Sequence, residues 1–171
     1  MQFYAHEKLA LMVDGPNFWH ASKNLGFDID YGKLREFFAR QATLTNCIYF
    51  TRMEETDDFN ALRPLVDWLE YHGWQVVTRE KDTDVDLAVA AMEMADHINH
   101  FVIVSGDADY CSLVEALQRK GVRTSVLATL KSPGSNCSDD LRRAAEQFIE
   151  MDDLRATITR PARAVKEALS A

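Results

Sequence analysis

The apolar run Phe101-Val102-Ile103-Val104 stops abruptly in Ser105-Gly106-Asp107-Ala108-Asp109-Tyr110. Successive β-branched and aromatic residues suit a strand covered on both faces, and Gly106 allows the sharp turn that follows. A strand buried on both sides needs helices above and below its sheet, which narrows the fold to a layered α/β arrangement. Asp107 and Asp109 then stand at the strand's carboxyl end, the edge where open α/β sheets bind ligands.

The rest of the chain repeats this pattern. Residues 9–13 form a short apolar run ended by Asp14-Gly15-Pro16-Asn17, a turn with a proline suited to opening a helix. Helices are expected over 18–25 and 31–42, a strand over 46–52, and a helix over 58–72, where Leu62, Leu65, Val66 and Leu69 recur at helical spacing. A third strand, 74–78, leads through Arg79-Glu80-Lys81-Asp82-Thr83 into a helix opening at Asp84. Two apolar stripes, one through Leu87, Ala91 and Met94 and one through Val85, Val89 and Met92, predict that this helix is mostly buried. After the strand at 101–105 come a helix over 108–120, a strand over 122–127, a loop over 129–138, a helix over 139–147 and a short sixth strand over 148–151. Strands alternating with helices at these spacings imply a parallel sheet with right-handed crossovers.

With 171 residues, 47% of them hydrophobic, the chain can bury one ordinary core. We expect one domain over 1–153. Beyond it, Arg155, Arg160, Arg163 and Lys166, interrupted by Pro161, read as a basic tail or partner-binding helix over 154–171. Cys47, Cys111 and Cys137 are odd in number and widely spaced, which fits reduced thiols and a cytoplasmic protein rather than a disulfide framework or zinc site. No stretch of about 18 apolar residues is present, so a membrane span is not expected. The net charge of −8 argues against a general polyanion binder. A divalent cation held by clustered carboxylates would nevertheless present positive charge locally.

Asp14, Asp84, Asp107 and Asp109 all fall at strand or helix junctions that could converge on one sheet edge. Converging carboxylates repel one another unless they share protons or a hard cation with oxygen ligands, and Mg²⁺ or Mn²⁺ fits that chemistry best. Such ions hold phosphate groups and activate water, the requirements of phosphodiester hydrolysis. Each aspartate also has an ordinary structural reading: Asp84 and Asp107 sit where helix caps are preferred, and Asp109 lies in a first turn, where the helix dipole favours acid. Asn17 is equally a turn residue or a group that orients ligand. Ser105 reads as a small turn residue, because no histidine completes a triad pattern with it. His6, His20, His72, His97 and His100 are scattered, and Phe18, Trp19 and Tyr110 read as core or rim aromatics. Arg52, Arg79, Lys81, Lys131, Arg142 and Arg143 are surface charges, of which those in loops at the acid edge could meet phosphates.

Three segments, Asp14-Gly15-Pro16-Asn17, then Lys81-x-x-Asp84-Val85-Asp86-Leu87-Ala88-Val89, then Val104-Ser105-Gly106-Asp107-Ala108-Asp109-Tyr110, resemble in order and separation the motifs of NYN domains of the LabA-like branch. The closing segment Ser138-x-x-Leu141-Arg142-x-Ala144-Ala145-Glu146-x-Phe148-Ile149 is similar to that branch as well, so the resemblance covers about residues 8–151. It implies a three-layer α/β/α PIN-like fold with parallel strand order 3-2-1-4-5 and metal-dependent cleavage of RNA. It places Asp14, Asp84, Asp107 and Asp109 at a Mg²⁺ or Mn²⁺ site, with Asn17 beside them; Asn17, Ser105 and Lys81 are the candidates for contact with substrate. RNA is the implied partner; a protein partner of the tail and a homodimer are further expectations. The chain departs from the family pattern at Asp82, where glycine is common, and at Ala90, where another aspartate is common. If an aspartate at position 90 normally completes the site, three outcomes are open for this chain: weak metal binding, use of Asp86 instead, or loss of catalysis. The last would make the domain a catalytically quiet RNA- or protein-binding module, an alternative that the acidic net charge also favours. A phosphatase reading is weaker, because no Asp-x-Asp pair follows the first strand.

Overall fold

The computed structural model describes residues 1–53, 61–134 and 137–161. Six strands, β1 (Lys8–Asp14), β2 (Thr43–Arg52), β3 (Gln75–Arg79), β4 (His100–Val104), β5 (Arg123–Ala128) and β6 (Gln147–Glu150), form one sheet in the order β3-β2-β1-β4-β5-β6. All five pairings are parallel. The chain first builds outward from β1 through β2 to β3 and then crosses to β4 on β1's other side. The switch point therefore lies between β1 and β4, where loops diverge and leave a crevice at the strands' carboxyl ends.

Alternation along each strand supplies both faces of the core. Leu9, Leu11 and Val13 of β1 point to one cluster with Tyr49, Val102 and Val104, while Ala10 and Met12 point to the other with Phe50, Phe101 and Ile103. Helices α1 (Gly15–Leu25), α2 (Tyr31–Ala39) and α3 (Arg63–Tyr71) cover the first face. Helices α4 (Asp84–Met94), α5 (Cys111–Arg119) and α6 (Asp139–Ala144) cover the second. The result is the expected three-layer parallel fold, with β6 extending the order by one strand.

Several element limits differ from the sequence expectation for identifiable reasons. The expected helix start at residue 58 lies outside the described residues; within them α3 begins at Arg63, with Pro64 in its first turn. The helix expected over 108–120 opens as a 3-10 turn, Ala108–Tyr110, before α5. The helix expected over 139–147 ends at Ala144, whose carbonyl accepts from Gln118 Nε2, and Gln147 instead pairs with Ser125 in the sheet. Helix α4 is buried only through Leu87 and Ala91; Val85 is 74% exposed and Val89 49%, so its second apolar stripe faces outward.

Past the expected domain limit at 153, Leu154 and Ile158 are buried, the latter completely, and a short helix α7 (Arg155–Ile158) packs on α2. Asp30 N donates to Ile158 O and Arg160 N to Asp28 O, so 154–160 belong to the same packed unit rather than to a tail. The expectation for 162–171 lies outside the described residues. No helix among those described is long and apolar enough to cross a membrane.

The turn from β1 into α1 is built against Tyr49, which is buried and packs edge-on to Tyr31 with ring centroids 5.3 Å apart. A Cβ at Gly15 would run into the Tyr49 ring. Replacing glycine by alanine inside a helix gains up to about 1 kcal/mol, but forcing a buried ring aside costs about 1–3 kcal/mol. Gly15→Ala is therefore expected to lower stability by about 1–2 kcal/mol in urea unfolding. An unchanged or raised midpoint would show that the ring yields freely.

Candidate functional site

Register brings the acids together. Val13 pairs with Val104 across β1 and β4, so the next residues, Asp14 and Ser105, emerge side by side at the switch point. Ser105 Oγ donates to Asp14 Oδ2 at 2.9 Å, and Asp14 Oδ1 caps α1 by accepting from Asn17 N at 3.2 Å. Asn17 reaches back, its Oδ1 accepting from Gly106 N at 3.0 Å. Gly106 is needed for a close approach: a Cβ there would stand 2.9 Å from Cys137 Cα, and Gly106 O accepts from Ser138 N. Asp107 N donates to Ser105 Oγ, and Asp107 Oδ1 caps the following 3-10 turn through Asp109 N at 3.0 Å. Capping thus fixes the carboxylates of Asp14 and Asp107, both of which line the crevice.

From the opposite wall comes Asp84, the first residue of α4, which is preceded by the buried Thr83. Its Oδ1 accepts from the Tyr110 hydroxyl at 2.7 Å, and the same hydroxyl lies 3.4 Å from Asp14 Oδ2. Tyr110 is buried and holds its proton well above the usual phenol range, through burial first and the neighbouring Asp14 and Asp84 charges next. Asp14 is also shifted upward. Burial is the main cause, with the Asp84 and Asp107 charges adding to it against the Ser105 and Asn17 hydrogen bonds.

Asp84, Asp107 and Asp109 each offer an oxygen, and these oxygens lie within 4.8 Å of one another. Oxygen ligands on one ion at 2.0–2.6 Å can be separated by at most about 4–5 Å, so the three fit a single hard divalent cation. Asp14 stands beside this trio in the same cleft of about 410 Å³. Arg52 and Asp82, paired at 3.4 Å, and His20 line it as well.

Of the sequence-derived residues, Asp14, Asn17, Asp84, Asp107 and Asp109 line the cleft. Ser105 is buried beneath it and acts on Asp14. Lys81 is exposed and lies off the lining. Asp86 is directed elsewhere: its carboxylate pairs with Arg79 at 2.6 Å in a separate groove that also contains Ala90. Position 90, six residues after Asp84, is turned about 240° around the helix from it, so the alanine removes nothing from the acid trio. Lys131 is paired with Asp152 and Asp153, and Arg142 and Arg143 with Asp139, which leaves Arg52 as the cation at the cleft among those expected to meet phosphate. Sequence reasoning missed Tyr110 and His20. The signal for Tyr110 was its place directly after Asp107-Ala108-Asp109, where a polar-tipped aromatic in a buried turn needs a partner for its hydroxyl.

A carboxyl that holds its proton more tightly folded than unfolded stabilises the fold below its unfolded value and loses that contribution as pH rises through the folded value. With chelator present, the stability of the wild type relative to Asp14→Asn should therefore decline as pH is raised above 3.8, the ordinary value for the group, as read from urea midpoints across the acid range. A difference that is flat or grows with pH would contradict the burial of Asp14.

Residues 8–152 match the NYN domain. The low amplitude and bright protein LabA of Synechococcus elongatus is 22% identical over 91% of this chain and 90% of its own length. An uncharacterized protein of Methanocaldococcus jannaschii is 24% identical over 82% of this chain, which spans 57% of that protein. Among solved structures, a Vibrio parahaemolyticus protein of unknown function superimposes with a TM-score of 0.76 at 22% identity, covering 90% of this chain and 98% of its own, a likeness that establishes the fold. With the match spanning most of its length, the chain belongs to the NYN domain family.

Proposed function

We propose that the chain is a divalent-metal-dependent ribonuclease in which Asp84, Asp107 and Asp109 hold one Mg²⁺ or Mn²⁺ ion beside Asp14. The observation that carries this reading is the oxygen trio within 4.8 Å at the switch point, next to a buried carboxylate whose proton affinity is raised. A bound ion would supply the positive charge that draws a phosphodiester into an otherwise acidic cleft and acidifies water there.

The chain's own groups supply the rest. Asp14 takes the proton of the attacking water as its oxygen bonds to phosphorus; the ester bond to the leaving oxygen breaks, and solvent protonates that oxygen. Ser105 and Asn17 fix the direction of the Asp14 carboxylate, and Tyr110 holds Asp84 and Asp14 in one hydrogen-bonded unit without adding charge. Arg52 lies at the cleft to meet a phosphate, exchanging its contact with Asp82. The second reading, a catalytically quiet binding module, loses its main sequence argument, because Ala90 sits in another groove.

Incubation of the purified chain with single-stranded RNA tests the proposal. Cleavage should require Mn²⁺ or Mg²⁺, stop with chelator, and fall at least about 100-fold in Asp107→Asn. Cleavage indifferent to chelator and to that substitution, or no cleavage at millimolar Mn²⁺, would overturn it.

A further inference from the structure

Helix α1 has a flank in each of two clefts. Pro16, Asn17 and His20 line the acid cleft, whereas Trp19, Ser22 and Lys23 line a second cleft of about 430 Å³ reaching to α3 and the end of the described chain. The Trp19 and His20 rings meet edge to face with centroids 4.9 Å apart, so the clefts adjoin across this pair. Trp19 is 46% exposed, with Lys23 Nζ 5.7 Å from its ring centroid. Across the cleft stands Trp68, one side of which is stacked on His72 at 3.8 Å. Tyr31 lies at the floor and Arg160 at the rim.

An indole left in solvent beside a cavity offers a stacking face for any base, because stacking does not depend on base identity. Charge selects the occupant. The acid cleft by itself repels a polyanion, whereas Lys23, itself paired with Asp28, and Arg160 border this neighbouring one. The volume matches a single small ligand group rather than a folded partner. A duplex keeps its bases stacked inward, so only an unpaired strand can present one here.

We propose that this second cleft seats an unpaired nucleobase of a single-stranded RNA whose adjoining phosphodiester occupies the acid cleft, Trp19 stacking on the base while Lys23 and Arg160 receive the next phosphate. The proposal rests on the ribonuclease reading and extends it to single strands as substrate.

The test uses the full chain carrying Asp107→Asn, which prevents turnover. A labelled oligouridylate of about ten nucleotides is followed by anisotropy, and tryptophan emission is recorded alongside. Saturable quenching is expected with the single strand and not with a duplex of equal length. Adding Trp19→Ala should weaken binding about tenfold, while Trp19→Phe, which keeps a stacking ring, should restore most of it. Unchanged affinity in Trp19→Ala, equal quenching by duplex, or quenching by a peptide of residues 162–171 but not by RNA would overturn the proposal, the last assigning the cleft to the chain's own end. Wild-type cleavage is assayed in parallel. Cleavage without quenching overturns this site alone, whereas quenching without cleavage overturns the ribonuclease reading and leaves the site standing.

Discussion

Parallel pairing of β1 with β4 is the constraint on which the rest of the structure depends. The two strands emerge from opposite halves of the chain, and their register sets Asp14 and Ser105 next to each other at the switch point. Everything else at the site hangs on that contact: Asn17 bridges back to Gly106, the turn after Gly106 carries Asp107 and Asp109, and Tyr110 closes the space toward Asp84. A one-residue slip would turn Leu11 and Val13 out of one core cluster and carry Asp14 away from its partner. Core packing and site geometry are thus enforced by the same pairing.

The site has to hold several carboxylates close together, and it does so with neutral donors. Ser105, the Asn17 backbone and the Tyr110 hydroxyl all give hydrogen bonds to acids and add no charge. Asp14 is the most buried of the four and is surrounded most completely by such donors, which sets its environment apart from that of the more open trio of Asp84, Asp107 and Asp109. Two environments within one cleft divide the acids into a group suited to a cation and one suited to a proton.

The strands and the acid junctions were legible in the sequence because a strand buried on both faces writes itself as a continuous β-branched run, and because its end is marked by glycine and aspartate. What stayed hidden required knowledge of neighbours. Val85 and Val89 look like core positions by periodicity, yet α4 packs on β1 and α5 with its other flank, and no described element covers the side that carries them. Residues 145–147 continue a helical pattern, but the helix stops at Ala144, whose carbonyl accepts from Gln118, and after a bend at 145–146 the open edge of β5 draws Gln147 into a sixth strand. Asp86 follows Asp84 closely in sequence and was a natural second ligand, although two residues turn a helix by about 200° and deliver it to Arg79. Tyr110 could not be assigned to the site before the fold showed two carboxylates around its hydroxyl.

The central claim is that Asp84, Asp107 and Asp109 form the ion-holding group and that Asp14 serves beside them. Anomalous difference density from a crystal soaked in Mn²⁺ tests it most directly. The account predicts a peak bounded by those three carboxylates, adjacent to Asp14 and away from Asp86. A peak beside Arg79 and Asp86, or no peak at saturating Mn²⁺, would contradict it.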